Sequence, residues 1–155
     1  MVIWNKKGVT PLMATFLLVS FAVAVGVVVM NFGRAQVEEA AECSLNTDLK
    51  LAQIGGTEQL CYDATAQKLL FTVENGVNIK VEGLVVNIIG TNKAETMELN
   101  DAVMVLAGTY VGTINYDSSV NGAIRQVKIT PKVTLYEQEL FCPEQSVVVE
   151  KVKEC

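Results

Sequence analysis

The chain has 155 residues, half of them apolar, a formal net charge of −5 and no histidine. Its length allows one compact domain of about 110 residues beside a long apolar segment. Because no basic stripe is present to neutralise phosphates, a nucleic-acid partner is not expected. Without histidine, and without a Ser-Lys, GxSxG, Walker or GxGxxG pattern, the sequence predicts neither an enzyme nor a cofactor.

A basic pair and a glycine precede the apolar segment, in the order Lys6, Lys7, Gly8, Val9. The lysines hold this junction at the cytoplasmic face, because a lysine near the middle of a bilayer costs roughly 3 kcal/mol. Glycine has no Cβ, so a protease can easily reach the bond between Gly8 and Val9. The sequence therefore predicts cleavage in front of the apolar segment, which would stay on the mature protein, unlike an ordinary secretory signal.

The apolar segment, residues 9–32, is long enough to cross a membrane as a helix. Its roughly 24 residues would span about 36 Å, against a bilayer core of about 30 Å. Ala22 and Gly26 are four residues apart, so they share a helix face and would let another helix approach closely. Small residues are also common in membrane helices generally, and that second interpretation of the pair stays open.

Beyond residue 32 the sequence becomes polar and alanine-rich, with Arg34, Glu38, Glu39 and Glu42 interleaved with small residues. This pattern predicts that the same helix continues outside the membrane for two or three turns. The lysines before the segment and the acidic residues after it place the remainder of the chain outside the cell, with Arg34 as a weak opposing signal.

The junction and the helix together resemble the class III signal peptide of type IV pilin-like proteins, in particular the archaeal pilin N-terminal domain. The resemblance covers roughly residues 5–40 and is carried by the basic-Gly site, the Thr10-Pro11 opening and the long apolar helix. Met13 stands where many bacterial pilins have a glutamate, which favours an archaeal relative. Archaellins also have a basic-Gly leader, but the Thr10-Pro11 opening looks more like an adhesion-type pilin.

This resemblance implies a function and a set of partners. A prepilin peptidase would cut after Gly8, and the helix would lie in the membrane before the pilus assembly machinery builds a homopolymer through it. The chain would then be a structural subunit of an extracellular filament for surface attachment. The implied organisation is a leader at residues 1–8, a helix and stem at 9–42, and an extracellular β-sandwich head at 43–155.

Two other interpretations of the apolar segment remain open. A conventional signal peptide would be cut after Ala22-Val23-Ala24 and would leave an exposed apolar tail. An uncleaved signal anchor would make Gly8 incidental. Both put the remainder of the chain outside the cell.

From residue 49 onward short strand-like runs alternate with turn residues, among them Gly55-Gly56, Asn75-Gly76 and Asn121-Gly122. The predicted strands are residues 49–54, 68–74, 78–89, 95–99, 103–106, 109–116, 123–136 and 147–152. A bulge or bend is expected near Gln126, and a break or an edge position at Pro131. Such a pattern predicts an α+β chain whose head is an antiparallel, loosely immunoglobulin-like sandwich, although the Trp buried in antibody domains is missing.

Four cysteines, Cys43, Cys61, Cys142 and Cys155, all follow the apolar segment. An even number in an extracellular region favours two disulfides. Of the three pairings, Cys43 with Cys61 and Cys142 with Cys155 is preferred because each closes a local loop, which would stabilise by about 3 kcal/mol. No CxxC spacing supports a zinc site.

Asp101 and Asp117 lie in predicted turns among asparagines and serines. A calcium site there has no EF-hand spacing behind it, so solvated turns are the favoured interpretation and no metal is predicted. The alternative function is a monomeric membrane-anchored surface binding module with a β-sandwich ectodomain. The mature N-terminus separates the two, because the filament interpretation requires cleavage at Gly8.

Overall fold

The computed structural model describes residues 10–135 and 137–155. The chain divides into two compact units, Met1–Ala41 and Glu42–Cys155. An apolar N-terminal helix is followed by strands that pair mostly antiparallel in sheets. The α+β class expected from the sequence is therefore correct at this level.

Helix α1, Thr10–Asn46, contains 37 residues. Pro11 lies in its first turn, where the missing N–H removes no helical hydrogen bond. No further proline occurs before its end, and alanine and leucine favour the helix. The expected continuation beyond residue 32 is confirmed, since the helix runs on to Asn46. The N–H of Thr47 then donates to the carbonyl of Cys43 at 3.0 Å.

The described part of the second unit consists of short strands joined by turns. The strands are β1 (Leu49–Leu51), β2 (Gln53–Ile54), β3 (Thr57–Glu58), β4 (Leu60–Asp63), β5 (Lys68–Asn75), β6 (Val81–Gly90), β7 (Ala94–Leu99), β8 (Thr109–Asn115), β9 (Ile124–Leu135), β10 (Gln138–Phe141), β11 (Val147–Val149) and β12 (Lys153–Glu154). A one-turn helix α2 (Ser118–Asn121) precedes β9, and a 3₁₀ turn (Pro143–Gln145) precedes β11.

Strand β5 lies at the centre of the first sheet. It pairs antiparallel with β8 on one side and with β1 and β4 on the other. Strand β12 joins the free edge of β4 in parallel orientation. Along β5, Leu69, Phe71 and Val73 are buried and alternate with more exposed neighbours, the two-residue period of a strand with one buried face.

Strands β6 and β9 form the centre of the second sheet. β9 pairs with β6 on one side and with β10 and β11 on the other, while β7 pairs with the second side of β6. The β6–β9 register shifts between Ile89 and Gly90, where Arg125 is the extra residue on β9. The bulge expected near Gln126 is therefore confirmed. Tyr136, the expected end of this strand, lies outside the described residues.

The break or edge position expected at Pro131 is wrong, because β9 runs through it without interruption. The carbonyl of Pro131 accepts from the N–H of Cys142 at 3.0 Å. In a strand the N and C=O of one residue face the same neighbour, so the ring nitrogen of Pro131 faces the junction between β10 and β11. The missing N–H consequently removes no hydrogen bond from the pairing with β6.

The strand expected at residues 103–106 is also wrong. Met104 makes an isolated bridge with Val81, and the residues on both sides lie in a loop. The carbonyl of Val105 accepts from the N–H of Gly108 at 2.9 Å. This closes a turn, so the pairing with Val81 does not extend in that direction.

Strands β2 and β3 form a small hairpin that leaves the first sheet between β1 and β4. At its base the N–H of Ala52 donates to the carbonyl of Thr72, and the N–H of Gln59 to the carbonyl of Ala52, both at 2.9 Å. At its tip Gly55 and Gly56 have φ of 60° and 79°. A two-residue turn with positive φ at both positions favours glycine, so the Gly-Gly turn predicted here is confirmed.

Buried side chains from both sheets belong to one hydrophobic cluster. From the first sheet it includes Leu69, Phe71, Val73 and Ile114, and from the second Leu84, Val86, Ile88, Val127, Ile129 and Val133. Cys43 at the end of α1 and Cys142 after β10 also belong to it. The end of the helix is thus part of the core of the second unit.

Candidate functional site

The apolar part of α1 is exposed in the single chain. The segment Met13–Arg34 has a mean hydropathy of 2.5 and is 0% buried. Phe16, Leu17, Leu18 and Val19 are exposed by 73, 71, 70 and 64%. Successive helix residues point about 100° apart, so four in a row cover the whole circumference. The helix is therefore apolar on all sides, as is typical of a helix buried in a membrane or among other helices.

One polar side chain of the segment is satisfied within the helix. The hydroxyl of Ser20 donates to the carbonyl of Phe16 at 2.9 Å. A hydroxyl moved into an apolar environment costs free energy unless it keeps a hydrogen bond. Ser20 therefore does not oppose burial of this helix in lipid or against other helices.

The predicted packing residues Ala22 and Gly26 both lie on α1 and are exposed. A Cβ on Gly26 would meet nothing within 4 Å, and the same holds for Gly33. Gly33 is seven residues beyond Gly26, which returns to nearly the same helix face, and it falls just outside the apolar segment considered from the sequence. The predicted processing residues Lys6, Lys7, Gly8 and Val9 lie outside the described residues.

All four cysteines form disulfides, but the predicted local pairing is wrong. Cys43 bonds to Cys142 and Cys61 bonds to Cys155, at sequence separations of 99 and 94 residues. Cys43 is 4% exposed and Cys142 0%. The hydroxyl of Thr47 donates to Sγ of Cys142 at 3.7 Å. The first bridge thus fixes the last turn of α1 to the chain that follows β10.

The reason for the wrong pairing is the course of the chain between the cysteines. Cys61 lies on β4, where it pairs with Lys153 of β12, and the N–H of Cys155 donates to the carbonyl of Tyr62 at 3.1 Å. Strand β12 therefore brings the C-terminal cysteine beside Cys61. Nearness along the sequence does not decide which thiols meet, because strand pairing brings residues together that are far apart in the chain.

A group of charged and polar side chains surrounds Lys132 of β9, which is 7% exposed. Its Nζ donates to Oδ1 of Asn100 at 2.8 Å and to Oε1 of Glu98 at 3.2 Å. Oε2 of Glu139 lies 3.4 Å from the same nitrogen. The hydrogen bond that Lys132 donates to Glu98, together with the charge of Glu139, raises the pKa of Lys132 against the opposing effect of burial.

The absence of a side chain at Gly83 leaves space for the side chain of Lys132. It is the partner of Lys132 in the β6–β9 register. A Cβ at Gly83 would lie 3.4 Å from Cε of Lys132 and 3.6 Å from Cα of Asn100. The lysine side chain therefore reaches across β6 to the residue that follows β7. No pattern in the sequence predicts this group, because the strand register is needed to bring residues 83, 100 and 132 together.

A surface cleft of about 490 Å³ lies beside β1 and β11. It is lined by Lys50, Leu51, Gln53, Glu58, Glu74, Val147, Val148 and Val149. Nζ of Lys50 is paired with Asp48 at 2.8 Å. The cleft is thus lined by apolar side chains of β11 and by the acidic side chains of Glu58 and Glu74.

The two turn aspartates considered from the sequence have local partners. Asp117 caps α2, and its Oδ1 accepts from the N–H and the hydroxyl of Ser119 at 2.8 and 2.6 Å. These bonds lower the pKa of Asp117. Asp101 accepts from the hydroxyl of Tyr110 at 3.5 Å. Among the residues that the structure describes, no three Cys, Asp or Glu side chains are grouped so that they could hold a metal ion.

Comparison of this chain with protein-family models, with curated proteins and with solved structures gives no match.

Proposed function

We propose that the chain is a structural subunit, a pilin, of an extracellular type IV pilus-like filament of the archaeal kind that serves surface attachment. The observation that carries the proposal is the apolar surface of Met13–Arg34, exposed on all sides of α1. The Lys6-Lys7-Gly8 junction in front of it supports processing by a prepilin peptidase. The proposed partners are further copies of the chain, the membrane before assembly, and the assembly machinery.

Physically, the apolar helix exchanges one apolar environment for another. In water each exposed Phe, Leu or Val would cost about 1.5–3 kcal/mol, so the helix stays in the bilayer until copies of itself replace the lipid. Lipid tails are as apolar as leucine, so burial of apolar surface does not favour the filament over the bilayer. Close packing between helices has to supply the preference. The exposed small residues Ala22, Gly26 and Gly33 are suited to that role because they let helix backbones approach closely.

The proposed head is an immunoglobulin-like β-sandwich displayed outside the cell. The single buried cluster shared by both sheets supports the sandwich. Two disulfides support an oxidising, extracellular location, since disulfides are rare in the cytosol. In the filament this acidic, cross-linked unit would form the outer surface.

The first test is the N-terminus of the mature protein. Intact-mass and N-terminal analysis of protein from its native membrane should show a chain that begins at Val9. Gly8→Val should abolish this processing, because a branched side chain hinders access to the bond. A mature chain that begins at Met1 or at Val25 would contradict the proposal.

The second test is assembly. Gly26→Leu keeps the segment apolar but obstructs close approach at an exposed position of α1. Overpacking of a contact costs about 1–3 kcal/mol, and this contact would recur in every subunit. The variant should reach the membrane and be processed, yet give few or no filaments in negative-stain micrographs.

The matched control for this variant is Ala24→Leu. Residue 24 lies two positions from residue 26, about 200° around the helix, so the control places a leucine side chain on the opposite face. This control should assemble more filaments than Gly26→Leu. Equal numbers of filaments from both variants would remove the close-packing claim.

The alternative is a monomeric membrane-anchored surface binding module. The cleft lined by Glu58, Glu74 and residues 147–149 favours it, because such a module needs a concave site. It predicts no filaments from the wild type under conditions that induce surface structures, and full retention of the protein in the membrane fraction.

A further inference from the structure

The side-chain group around Lys132 places an amine beside an amide with carboxylates on two sides. Nζ of Lys132 and Oδ1 of Asn100 are 2.8 Å apart, and the lysine is 7% exposed. Glu98 and Glu139 approach the same nitrogen at 3.2 and 3.4 Å. A nearly buried lysine in contact with a side-chain amide brings a nucleophile and an acyl group together.

We propose that Lys132 and Asn100 form an intramolecular isopeptide bond. The Nζ–Cγ bond forms and the Cγ–Nδ2 bond of the amide breaks. The lysine ammonium group loses two of its three protons and keeps the third as the N–H of the new amide. One of the two protons joins the leaving NH2 group, which departs as one molecule of ammonia, and the other passes to a carboxylate and then to solvent. No oxidation or reduction takes place, so no further reactant is needed. The bond is a modification of the head and is independent of the proposed filament function.

The carboxylates account for the proton movements. An ammonium group is not a nucleophile, so one proton of Lys132 must first pass to a carboxylate, and Glu98 on β7 and Glu139 on β10 both reach it. A second proton leaves the attacking nitrogen and returns through the carboxyl group to the departing ammonia. From β6 the facing residue is Gly83, which carries no titratable group.

Glu98 and Glu139 also set the pH dependence of the reaction. They favour the charged lysine, and the pKa of Lys132 is raised. The fraction of free amine is therefore small near neutral pH and increases as the pH approaches the pKa. Bond formation should be slow at neutral pH and faster in alkaline solution.

The Asn100 amide is a weak electrophile, and its fixed position beside Lys132 compensates for this. An amide reacts slowly with a free amine in water, but well-oriented groups in one molecule have effective concentrations of about 10⁵–10⁸ M. Gly83 leaves the path between the two groups open, since a Cβ there would lie against both residues. The resulting bond would span β6 and link β9 to the end of β7, the edge strand of the sheet.

The experiment uses the full chain in mild detergent, aged near neutral pH and at about pH 10, then reduced and digested with trypsin. The bond joins residues 94–125 to residues 129–151 in one branched peptide, because trypsin cannot cut after an acylated Lys132. The joined peptide weighs one ammonia less than its parts. We expect it in the wild type, with a severalfold larger fraction after alkaline ageing.

Two variants locate the reaction. Asn100→Ala should abolish the branched peptide. Asn87→Ala is the matched control, because Asn87 lies in the same sheet but accepts from Thr96 at 2.7 Å instead of from Lys132. This control should keep the wild-type fraction of branched peptide.

Two results would overturn the proposal. One is complete tryptic cleavage after Lys132 in the wild type at both pH values. The other is a loss of ammonia from residues 94–125 that maps to Asn121 in a linear peptide not joined to residues 129–151, because Asn121 precedes a glycine and can cyclise on its own backbone. Because both results are read from the wild type, poor folding of a variant does not affect the decision.

Discussion

Removal of the Cys43–Cys142 bridge would measure how much the head depends on its cross-links. The two cysteines are 99 residues apart, and those of the second bridge, Cys61–Cys155, are 94 apart. In the chain-entropy model a loop of about 100 residues stabilises the folded state by about 4.7 kcal/mol when it is the only bridge.

The two bridges overlap along the chain, so each lowers the contribution of the other. With Cys61–Cys155 formed, the covalent path from Cys43 to Cys142 is about 31 residues, from about 18 between Cys43 and Cys61 and about 13 between Cys142 and Cys155. A loop of that length contributes about 3.7 kcal/mol. Cys43→Ala/Cys142→Ala should therefore lower the free energy of unfolding by about 4 kcal/mol, or the urea midpoint by about 2 M.

Urea unfolding of the full chain in mild detergent, followed by circular dichroism without reductant, measures this change. Because the loops overlap, removal of both bridges should cost about 1 kcal/mol more than the two single removals added together. If the bridges closed two separate local loops, the cost of removing both would equal the sum of the two single costs. Thiol titration is the control: Cys43→Ala/Cys142→Ala should leave no free thiol, whereas Cys43→Ala/Cys61→Ala should leave Cys142 and Cys155 free. Free thiols in the first variant, or a loss below about 1 kcal/mol, would refute the reasoning.

Two further predictions concern the interior of the head. Gly112→Ala should lower the free energy of unfolding by about 1–3 kcal/mol in urea, because a Cβ there would clash with the ring of Phe71; an unchanged midpoint would contradict this. Tyr116→Phe should cost about 1–2 kcal/mol, because the buried hydroxyl donates to the carbonyl of Gly122 at 2.8 Å. Burial also raises the pKa of Tyr116. The unfolded chain therefore loses the Tyr116 proton at a lower pH, about 10, than the folded chain does. The free energy of unfolding should fall as the pH rises above that value, and it should fall less steeply in Tyr116→Phe.

Several elements of the fold follow from local sequence patterns. Helix α1 was predictable because its apolar run is long and contains no proline after Pro11. The turn at Gly55-Gly56 was predictable because positive φ at two successive positions favours glycine. The bulge near Gln126 was visible as a change of parity in an otherwise alternating strand.

Other elements depend on contacts between distant parts of the chain. Strand β10, Gln138–Phe141, is mostly exposed and polar, and it forms because β9 offers a partner, so its own sequence has little strand signal. The residue pairs Cys43–Cys142 and Asn100–Lys132 are 99 and 32 positions apart. Which residues meet across such distances depends on strand order and register, and neither can be read from spacing.

The hairpin formed by β2 and β3 has a practical consequence for labelling the protein. Its base is closed by hydrogen bonds of Ala52 and Gln59, whose backbones already lie side by side, and its residues 53–58 are exposed. Lengthening a closed loop costs only about 0.6 kcal/mol for each doubling. A short epitope or a fluorophore-binding peptide placed between Gly55 and Gly56 should therefore leave both sheets intact, which offers a position for antibody or optical detection of the protein.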